Sequence, residues 1–493
     1  MYWPASRTND HAASSLAKEL IPAVGRSLVL VFGFVDCYKT TGYEFIESLS
    51  QTSGSMFSRL LFQLLAMGAQ MRGLCDRTPR AFTDEDKDEF LCALARQYAK
   101  KFTGERAPSG PWIEFMDCMY GRAAVRMLNA FKRVIDETDH RPQDARFRSA
   151  ARRLMTTLAR DSRMLPSALH IEESRITFPS RNPFAPAAVK DAMRAGSGKD
   201  TGTSSIVSFG SMSCQKRKRI EVAIKGLTKS LGEKIVEDTY LEIIAGWTLR
   251  HERLLPTLGI VHYLEMLSIV SERMAGGNVR NYINTSNDFG RLPEGKRIAK
   301  LNFWLKQVAE GLKYMHDEGM AHGDLRGKNI LIDSESDPGC NRIVIADFGL
   351  SLYVESISQA YKSTRVGNPR YLAPELQLRH NDVDDAAEIR ALFSGPKFRI
   401  SPSSRQNEAS DLFSFAMLCV ELYTGQEPFV ASHPSAADWQ VSNLILQGMR
   451  PTPLPTAIAA QPGLVRALER CWQQNPLHRG DAAALLADIG SLA

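Results

Sequence analysis

Residues 322–329 read His-Gly-Asp-Leu-Arg-Gly-Lys-Asn, and residues 343–349 read Ile-Val-Ile-Ala-Asp-Phe-Gly. Phosphoryl transfer to a hydroxyl needs a carboxylate that orients the hydroxyl and accepts its proton, together with oxygen ligands that hold Mg²⁺ against the phosphates. Asp324 suits the first role, whereas Asn329 and Asp347 suit the second. Each stretch alone is also what an ordinary turn or helix cap looks like, so the prediction depends on their combination with other motifs.

A lysine and a glutamate upstream form a second candidate pair. Residues 222–225 read Val-Ala-Ile-Lys, which is typical of a buried strand that ends in Lys225. Such a lysine needs a partner, because an unpaired charge is costly to bury. Glu242, on the helical stretch 236–249, is the predicted partner and would orient Lys225 toward the α- and β-phosphates of ATP. The alternative for Glu242 is a solvated helix charge, with Glu237 as its rival.

Three more motifs follow downstream in a fixed order. They are Tyr-Leu-Ala-Pro-Glu at 371–375, Ser-Asp at 410–411, and a segment that ends in Arg479. Together with the motifs quoted above, they closely resemble the protein kinase family, over about residues 204–492. Softer features, such as Leu-Arg-His at 249–251, resemble the tyrosine-kinase-like group in the versions abundant in fungi, and most of that group phosphorylates Ser or Thr.

The resemblance implies an α+β fold with two lobes, a small one of antiparallel strands with one key helix and a large helical one, and ATP in the cleft between them. It implies catalytic roles for Asp324, Lys225, Glu242 and Arg326, and metal binding by Asn329 and Asp347. It implies ATP binding by Gly210, Met212, Ala223, Lys225, Glu272, Met274 and Leu331. It implies structural or regulatory roles for His322, Phe348, Gly349, Glu375, Asp411 and Arg479.

Some of these implied roles are specific enough to check against a structure. Glu375 and Arg479 are expected to form a buried ion pair, and Asp411 is expected to anchor the backbone of the loop around Asp324. Ala223 and Leu331 are expected to sandwich adenine. Residues 271–274 resemble the hinge between the lobes, with Ser271 as a small gatekeeper, and His322 and Phe348 resemble members of the hydrophobic spine.

The glycine-rich loop that covers the phosphates is the weakest part of the resemblance. The favoured register places it at residues 205–212, where Gly210 is the one glycine left and Val207 adds bulk. A rival register uses residues 187–194 but needs a long insertion before Lys225. The nearby Gly-Ser-Gly-Lys-Asp at 196–200 lacks the spacing of a Walker A loop and is interpreted as linker.

Other departures bear on regulation and on the acceptor. Gly323 stands where many kinases have Arg, which argues against strict dependence on phosphorylation of the activation segment. Asn368 replaces the usual Thr and Arg326 the usual Lys, so the acceptor stays open between Ser/Thr, which we favour, and Tyr. Residues 380–409 are expected to be a surface insertion. The basic run 216–219 resembles a nuclear import patch, but a solvated hairpin tip is favoured.

The rest of the chain suggests additional domains. Its 493 residues exceed one ordinary core, and 44% hydrophobic with 24% charged residues indicates a globular protein. We predict an α-helical module at 1–164, a linker at 165–203 and the kinase domain at 204–493. The eight cysteines include no CxxC spacing, which argues against a zinc site, and no segment reaches the length of a membrane span.

These observations predict an ATP- and Mg²⁺-dependent protein kinase in the cytoplasm, with the nucleus as an alternative location. Protein substrates are the expected partners, with a further protein partner for the N-terminal module and no nucleic acid, because a net charge of +6 is small for this length. The alternative is a pseudokinase that serves as a scaffold, motivated by the eroded glycine-rich loop. The presence of Asp324 favours activity, since a scaffold has no need of it.

Overall fold

The computed structural model divides the chain into two compact units. The first comprises residues 1–101, 108–137 and 157–167, and the second comprises 102–107, 138–156 and 168–493. The residues that the structure describes are 88, 91–92, 95–96, 98–100, 102–103, 121–138, 141–179, 205–214, 219–227, 233–263, 266–333, 341–353, 367–377, 407–490 and 492.

Two long helices come first among the described residues. Helix α1 spans Gly121–Glu137, and helix α2 spans Ala145–Ser162. Along α1 the apolar side chains recur three and four residues apart, and Met127, Leu128 and Phe131 are fully buried. The helical N-terminal region predicted from the sequence is confirmed for these residues. The division between the units falls within α2, whose residues up to Thr156 belong to the second unit.

The second unit contains a five-stranded antiparallel sheet. Its strands are β1 (Ile176–Thr177), β2 (Ser205–Ser213), β3 (Arg219–Leu227), β4 (Thr257–Tyr263) and β5 (Met266–Glu272), in the spatial order β1-β2-β3-β5-β4. Helix α3 (Glu233–Thr248) lies between β3 and β4 in the chain and packs against β4. One face of the sheet carries the apolar cluster Ile176, Met212, Val222, Ile224, Val261 and Val270.

Part of the segment predicted as a linker belongs to this sheet. Strand β1 pairs with β2 through Ile176 opposite Met212, and the backbone of Ile171 donates a hydrogen bond to the Ile260 carbonyl of β4, at 2.8 Å. This segment therefore contacts β2 and β4, which are the two outer strands of the sheet formed by β2 to β5. Because unpaired strand edges are prone to association, this contact protects the small sheet.

The remainder of the second unit is mainly helical. The helices are α4 (Val279–Thr285), α5 (Asn287–Gly290), α6 (Glu294–Asp317), α7 (Pro374–Gln377), α8 (Glu408–Thr424), α9 (Asp438–Leu446), α10 (Thr456–Ala459), α11 (Pro462–Cys471) and α12 (Ala482–Ile489). Helix α8 is the centre of this core, because every residue from Ser410 to Leu422 is buried. It begins at a capping box, in which the side chains of Asn407 and Ser410 each accept a hydrogen bond from the backbone N–H of the other residue.

Two small sheets hold the loops that carry the predicted site. Strands β6 (Gly277–Asn278), β8 (Ile330–Asp333) and β9 (Arg342–Ile345) form one antiparallel sheet. Strands β7 (Met320–Ala321) and β10 (Leu352–Tyr353) form the other. The α+β bilobal fold is thereby confirmed. Among the described helices, none has an apolar stretch long enough to cross a membrane.

Candidate active site

Lys225 forms one cluster with two other predicted site residues, Glu242 and Asp347. Its Nζ lies 2.7 Å from Oε1 of Glu242 and 3.2 Å from Oδ1 of Asp347. The register of β3 brings Lys225 to the face opposite the apolar cluster, and α3 supplies Glu242, which is 8% exposed. The structure therefore selects Glu242 as the partner of the strand lysine.

The charges of this cluster stabilise one another. Burial alone would lower the pKa of Lys225, but the charges of Asp347 and Glu242, together with hydrogen bonds to both, raise it above its ordinary value. Burial would raise the pKa of Asp347, yet the nearby Lys225 charge holds that pKa below its ordinary value. Lys225 and Asp347 are consequently ionised near neutral pH, as phosphate and metal binding require.

The carboxylate of Asp324 is held on one side only. Its Oδ2 accepts hydrogen bonds from Nε of Arg326 at 3.2 Å and from Nδ2 of Asn329 at 2.9 Å. Its Oδ1 is buried and has no hydrogen-bond partner among the described residues, and Gly367 leaves space beside it. Burial raises the pKa of Asp324, although the charge of Arg326 opposes that rise. One oxygen is thus fixed by two hydrogen bonds, whereas the other makes none to the described residues.

Asn329 is oriented by the same carboxylate. Its Nδ2 also donates a hydrogen bond to the Asp324 carbonyl at 2.7 Å, so its amide oxygen is the atom turned to other ligands. Asn329 and Asp347 together offer oxygen donors, which hard divalent cations prefer. The described residues contain no group of three or more His, Cys, Asp or Glu that could bind a metal. A divalent cation held by two protein oxygens would complete its shell with phosphate and water oxygens.

Two buried acids of α8 fix the backbone of the loop around Asp324. Asp411 accepts hydrogen bonds from the backbone N–H groups of His322, at 2.7 Å, and Gly323, at 2.9 Å, as expected from the sequence. Glu421 accepts one from the Gly327 N–H at 2.8 Å, which the sequence analysis missed. A Cβ on Gly327 would lie 2.5 Å from Glu421, so this position needs glycine.

Glu421 belongs to a further buried network that sequence reasoning did not find. Arg280 on α4 forms ion pairs with Glu421 and Glu427, and its Nη2 donates to the Tyr371 hydroxyl at 2.5 Å. A signal for Glu421 was available, because it is the one acid in the apolar stretch 412–424 of α8 and such a charge must be paired. Nothing in the local sequence indicated Arg280.

Residues 346–349 adopt a strained turn at the site. Asp347 has φ +67° and ψ +77°, an unusual conformation for a residue with a side chain. The turn places the Phe348 ring 6.1 Å from the His322 ring, and both side chains are buried. The backbone of Gly349 donates to Asp347 Oδ1 at 3.4 Å. The strain is offset by these contacts and directs the Asp347 carboxylate to Lys225.

The predicted adenine and hinge residues lie on strands of both lobes. Ala223 on β3 is half-buried and pairs with Ser271 on β5, whereas Leu331 on β8 is half-buried and pairs with Val344. Glu272 ends β5, and its carboxylate forms an ion pair with Arg342 at 2.9 Å. Met274 is buried, with Sδ 3.9 Å from the same guanidinium. Adenine binding by these residues stays a prediction.

The residues predicted to form the glycine-rich loop, 205–212, lie within strand β2 (Ser205–Ser213). These residues form strand β2, which pairs residue by residue with β3, with Val207 opposite Lys225 and Gly210 opposite Val222. Paired residues share a face of the sheet. Gly210 and Met212 therefore face the apolar cluster, away from Lys225, which gives no support to the prediction that they bind ATP. A Cβ on Gly210 would lie 2.9 Å from the Thr177 carbonyl oxygen, which gives this glycine a packing role.

The ion pair of Glu375 and Arg479 lies in the helical core. Both side chains are completely buried, and two parallel hydrogen bonds of 2.7 Å join the guanidinium to the carboxylate. Arg479 also donates to the carbonyls of Ala409 and Gln473, at 2.9 and 2.8 Å. The pair thus links α7, which ends the segment after Asp347, to the final helices.

Several predicted features fall outside the described residues. They are the rival loop register at 187–194, the Gly-Ser-Gly-Lys-Asp segment at 196–200, most of the basic run 216–219 and most of the insertion 380–409. Gly323 is described, and its φ of +82° is a conformation that residues with side chains rarely adopt.

Comparison with known families agrees with this geometry. A family described as "Protein kinase domain" matches residues 201–488, more than half of the chain.

Individual relatives share only part of their length with the chain. A "Light-sensor Protein kinase" of Ceratodon purpureus is 33% identical over 187 residues, which are 36% of this chain and 13% of that protein. The "Serine/threonine-protein kinase VIK" of Arabidopsis thaliana is 28% identical over 258 residues, 51% of this chain and 50% of that protein. The "Serine/threonine/tyrosine-protein kinase HT1" of the same plant is 28% identical over 219 residues, 44% of this chain and 45% of that protein. The chain thus spans half or less of these relatives.

Proposed function

The chain belongs to the protein kinase family, and on that premise we propose that it is an active enzyme that transfers the γ-phosphate of ATP to Ser or Thr hydroxyls of proteins. The observation that carries this proposal is the state of Asp324. One carboxylate oxygen is fixed by Arg326 and Asn329, and the other is buried without a hydrogen-bond partner in the part of the chain that the structure describes. A buried unsatisfied oxygen is costly, and the proposed substrate hydroxyl would satisfy it.

The proposed reaction follows from these positions. The substrate hydroxyl donates its hydrogen bond to Oδ1 of Asp324, and its oxygen forms a bond to the γ-phosphorus while the bond from that phosphorus to the bridging oxygen of ADP breaks. The hydroxyl proton passes to Asp324, whose raised pKa makes it a better acceptor than an ordinary carboxylate. ADP leaves with the bridging oxygen, so atoms and charges balance.

The remaining groups of the cluster hold ATP. Lys225, oriented by Glu242, is positioned to bind the α- and β-phosphates. Asn329 and Asp347 would hold the divalent cation, which we propose to be Mg²⁺ and which neutralises phosphate charge when bound. Arg326, next to the Asp324 carboxylate, would contribute positive charge near the transferred group.

Specificity for Ser and Thr is supported by the relatives, two of which carry serine/threonine in their names. The Asn368 side chain accepts a hydrogen bond from the Arg370 backbone at 2.9 Å, so it folds onto its own loop. Acceptance of Tyr is the competing outcome.

The pseudokinase alternative stays the competing proposal. It depended on an eroded phosphate loop at residues 205–212, and these residues form a strand. A protein partner for the N-terminal helical region, and a location in the cytoplasm or the nucleus, stay parts of the proposal without further support.

The test is phosphate transfer from γ-labelled ATP with Mg²⁺ to casein and myelin basic protein, by the full chain and by Asp324→Asn. We expect labelled phosphoserine or phosphothreonine with the wild type and loss of label with the variant. Label on tyrosine would overturn the acceptor class. Binding of MgATP without any transfer by the wild type would overturn the activity and favour the scaffold.

A further inference from the structure

Helix α2 precedes the matched family domain, yet two of its arginines are buried in the same compact unit as that domain. Arg148 and Arg152 are one helical turn apart and therefore on the same face of α2. They are 2% and 0% exposed, respectively. The residues that these two side chains contact in the bonds described below lie within 138–156 and 168–493, which form one unit. Both arginines contact Glu318, and we call these three residues the arginine clamp.

Glu318 is the centre of the arginine clamp. Its two carboxylate oxygens lie 3.1 and 3.0 Å from Nε of Arg148, and each of the two guanidinium groups makes a further, shorter contact with the carboxylate. Burial alone would raise the pKa of Glu318, but the bonds and charges of both arginines hold that pKa below its ordinary value. Because desolvation offsets most of the attraction in such groups, stability alone is a poor explanation for the clamp.

The clamp touches the two segments that lead to the catalytic groups. Glu318 caps the C-terminal end of α6, and the chain continues through Gly319 and β7 to Asp324, only six residues later. Nη2 of Arg152 lies 3.4 Å from the carbonyl oxygen of Thr248, the last residue of α3. Glu242, which orients Lys225, lies six residues before Thr248 on that helix. Arg152 thereby joins the helix of one lobe to the loop entrance of the other.

Close packing at Gly319 supports the same connection. Gly319 has φ +72°, and a Cβ there would lie 2.7 Å from Oγ of Ser149, between the two arginines on α2. The helix therefore approaches the backbone after Glu318 more closely than a side chain at position 319 would permit. Arg148 is itself braced, because its Nη1 donates to the Arg141 carbonyl at 2.8 Å.

We propose that Arg152 is a positioning residue for the kinase reaction, which it serves by holding the Glu242 helix in register with the segment that enters the Asp324 loop. Residues 138–156 then contribute to catalysis by positioning these elements, although they precede the family domain. This inference rests on the proposed function, since it names a residue that maintains that site.

The experiment compares Arg152→Lys with Arg146→Lys in the full chain. Lysine keeps the charge beside Glu318 but cannot bridge to Thr248 with a fork of donors, and Arg146 is exposed on the same helix. We expect Arg152→Lys to weaken MgADP binding and raise the KM for ATP by about three- to tenfold, with a smaller change in kcat. Arg146→Lys should change neither. Binding is measured per folded molecule, which removes losses due to unfolding.

A double-mutant cycle with Glu242→Gln separates positioning from mere anchoring. If Arg152 acts through Glu242, Arg152→Lys weakens MgADP binding by less than about twofold once Glu242 is replaced. An equal effect in both backgrounds, or a change in Tm with unchanged MgADP affinity, would overturn the inference. Because the cycle measures MgADP binding, it decides this question even if the wild type transfers no phosphate, which would overturn the proposed function alone.

Discussion

The candidate active site and strand β2 differ in what they require of the sequence. We call the group that contains Lys225, Asp324 and Asp347 the Asp324 cluster. In the cluster, function depends on which side chains are present, and Lys225, Asp324 and Asp347 occur in an order that ordinary proteins do not reproduce. In β2, the predicted function depended on backbone conformation, and the evidence was one glycine at an acceptable distance from Lys225. A single sequence does not distinguish a glycine in a phosphate loop from a glycine packed against a neighbouring strand.

Val207 shows how the same residue is interpreted differently in a loop and in a strand. Val207 was interpreted as a bulky replacement for a phosphate-loop glycine. In the structure it lies on β2 opposite Lys225, and 54% of its surface is exposed on the face that carries the lysine. A β-branched residue is ordinary in a strand. Val207 is therefore accounted for by its place in β2, without reference to a phosphate loop.

The largest effect is expected from the cluster itself. Lys225→Met removes the charge that Glu242 orients and leaves Glu242 and Asp347 without their shared partner. We expect kcat/KM for ATP to fall by about 10²- to 10³-fold. Steady-state phosphate transfer measures this, with Lys296→Met, an exposed lysine on α6, as the matched control. Retention of more than a tenth of the activity would separate Lys225 from catalysis.

The second prediction concerns the pH dependence of the cluster. Asp324 must be ionised to accept a proton, so activity is lost as pH falls through its raised pKa. The Arg326 charge lowers that pKa, so Arg326→Gln should move the acid limb of kcat to higher pH and lower kcat at pH 7 by about tenfold. The exposed Arg291→Gln is the control. An acid limb that stays in place would show that Arg326 does not act on Asp324.

The third prediction tests the packing role of Gly210. Gly210→Ala places a methyl group 2.9 Å from the Thr177 carbonyl and forces β1 to move. We expect the free energy of unfolding to fall by about 1–3 kcal/mol, with the KM for ATP unchanged, because Gly210 faces away from Lys225. Chemical denaturation and steady-state kinetics measure the two quantities. A raised KM at unchanged stability would return Gly210 to the nucleotide site.

The smallest effect is expected at Val207. Val207→Gly should lower the free energy of unfolding by about 1 kcal/mol, as glycine does in a strand, and should not raise kcat. Ser208→Gly, the next residue in β2, is the matched control for the loss of strand propensity. An increase in kcat in Val207→Gly alone would restore the loop interpretation of β2.

Some features of the fold and of the site could be predicted from the sequence, and others could not. The bilobal fold, the family and the contacts of Lys225, Asp411 and Arg479 follow from side chains whose chemistry has few substitutes. The arginine clamp could not be predicted, because a basic residue on an amphipathic helix is normally solvated, and Glu318 lies 166 residues after Arg152. Strand β1 was missed for a related reason. It has two residues, and its partner is distant in the sequence.

The central claim is that the Asp324 cluster carries out phosphate transfer and does more than bind nucleotide. The most direct measurement is single-turnover transfer from γ-labelled MgATP by the wild type and by Asp324→Asn, with MgATP affinity determined for both proteins. We predict equal affinity within about threefold and a transfer rate at least about 10²-fold lower in the variant, because Asp324 accepts the proton and does not hold ATP. Equal transfer rates, or a wild type that binds MgATP and transfers nothing, would contradict the account.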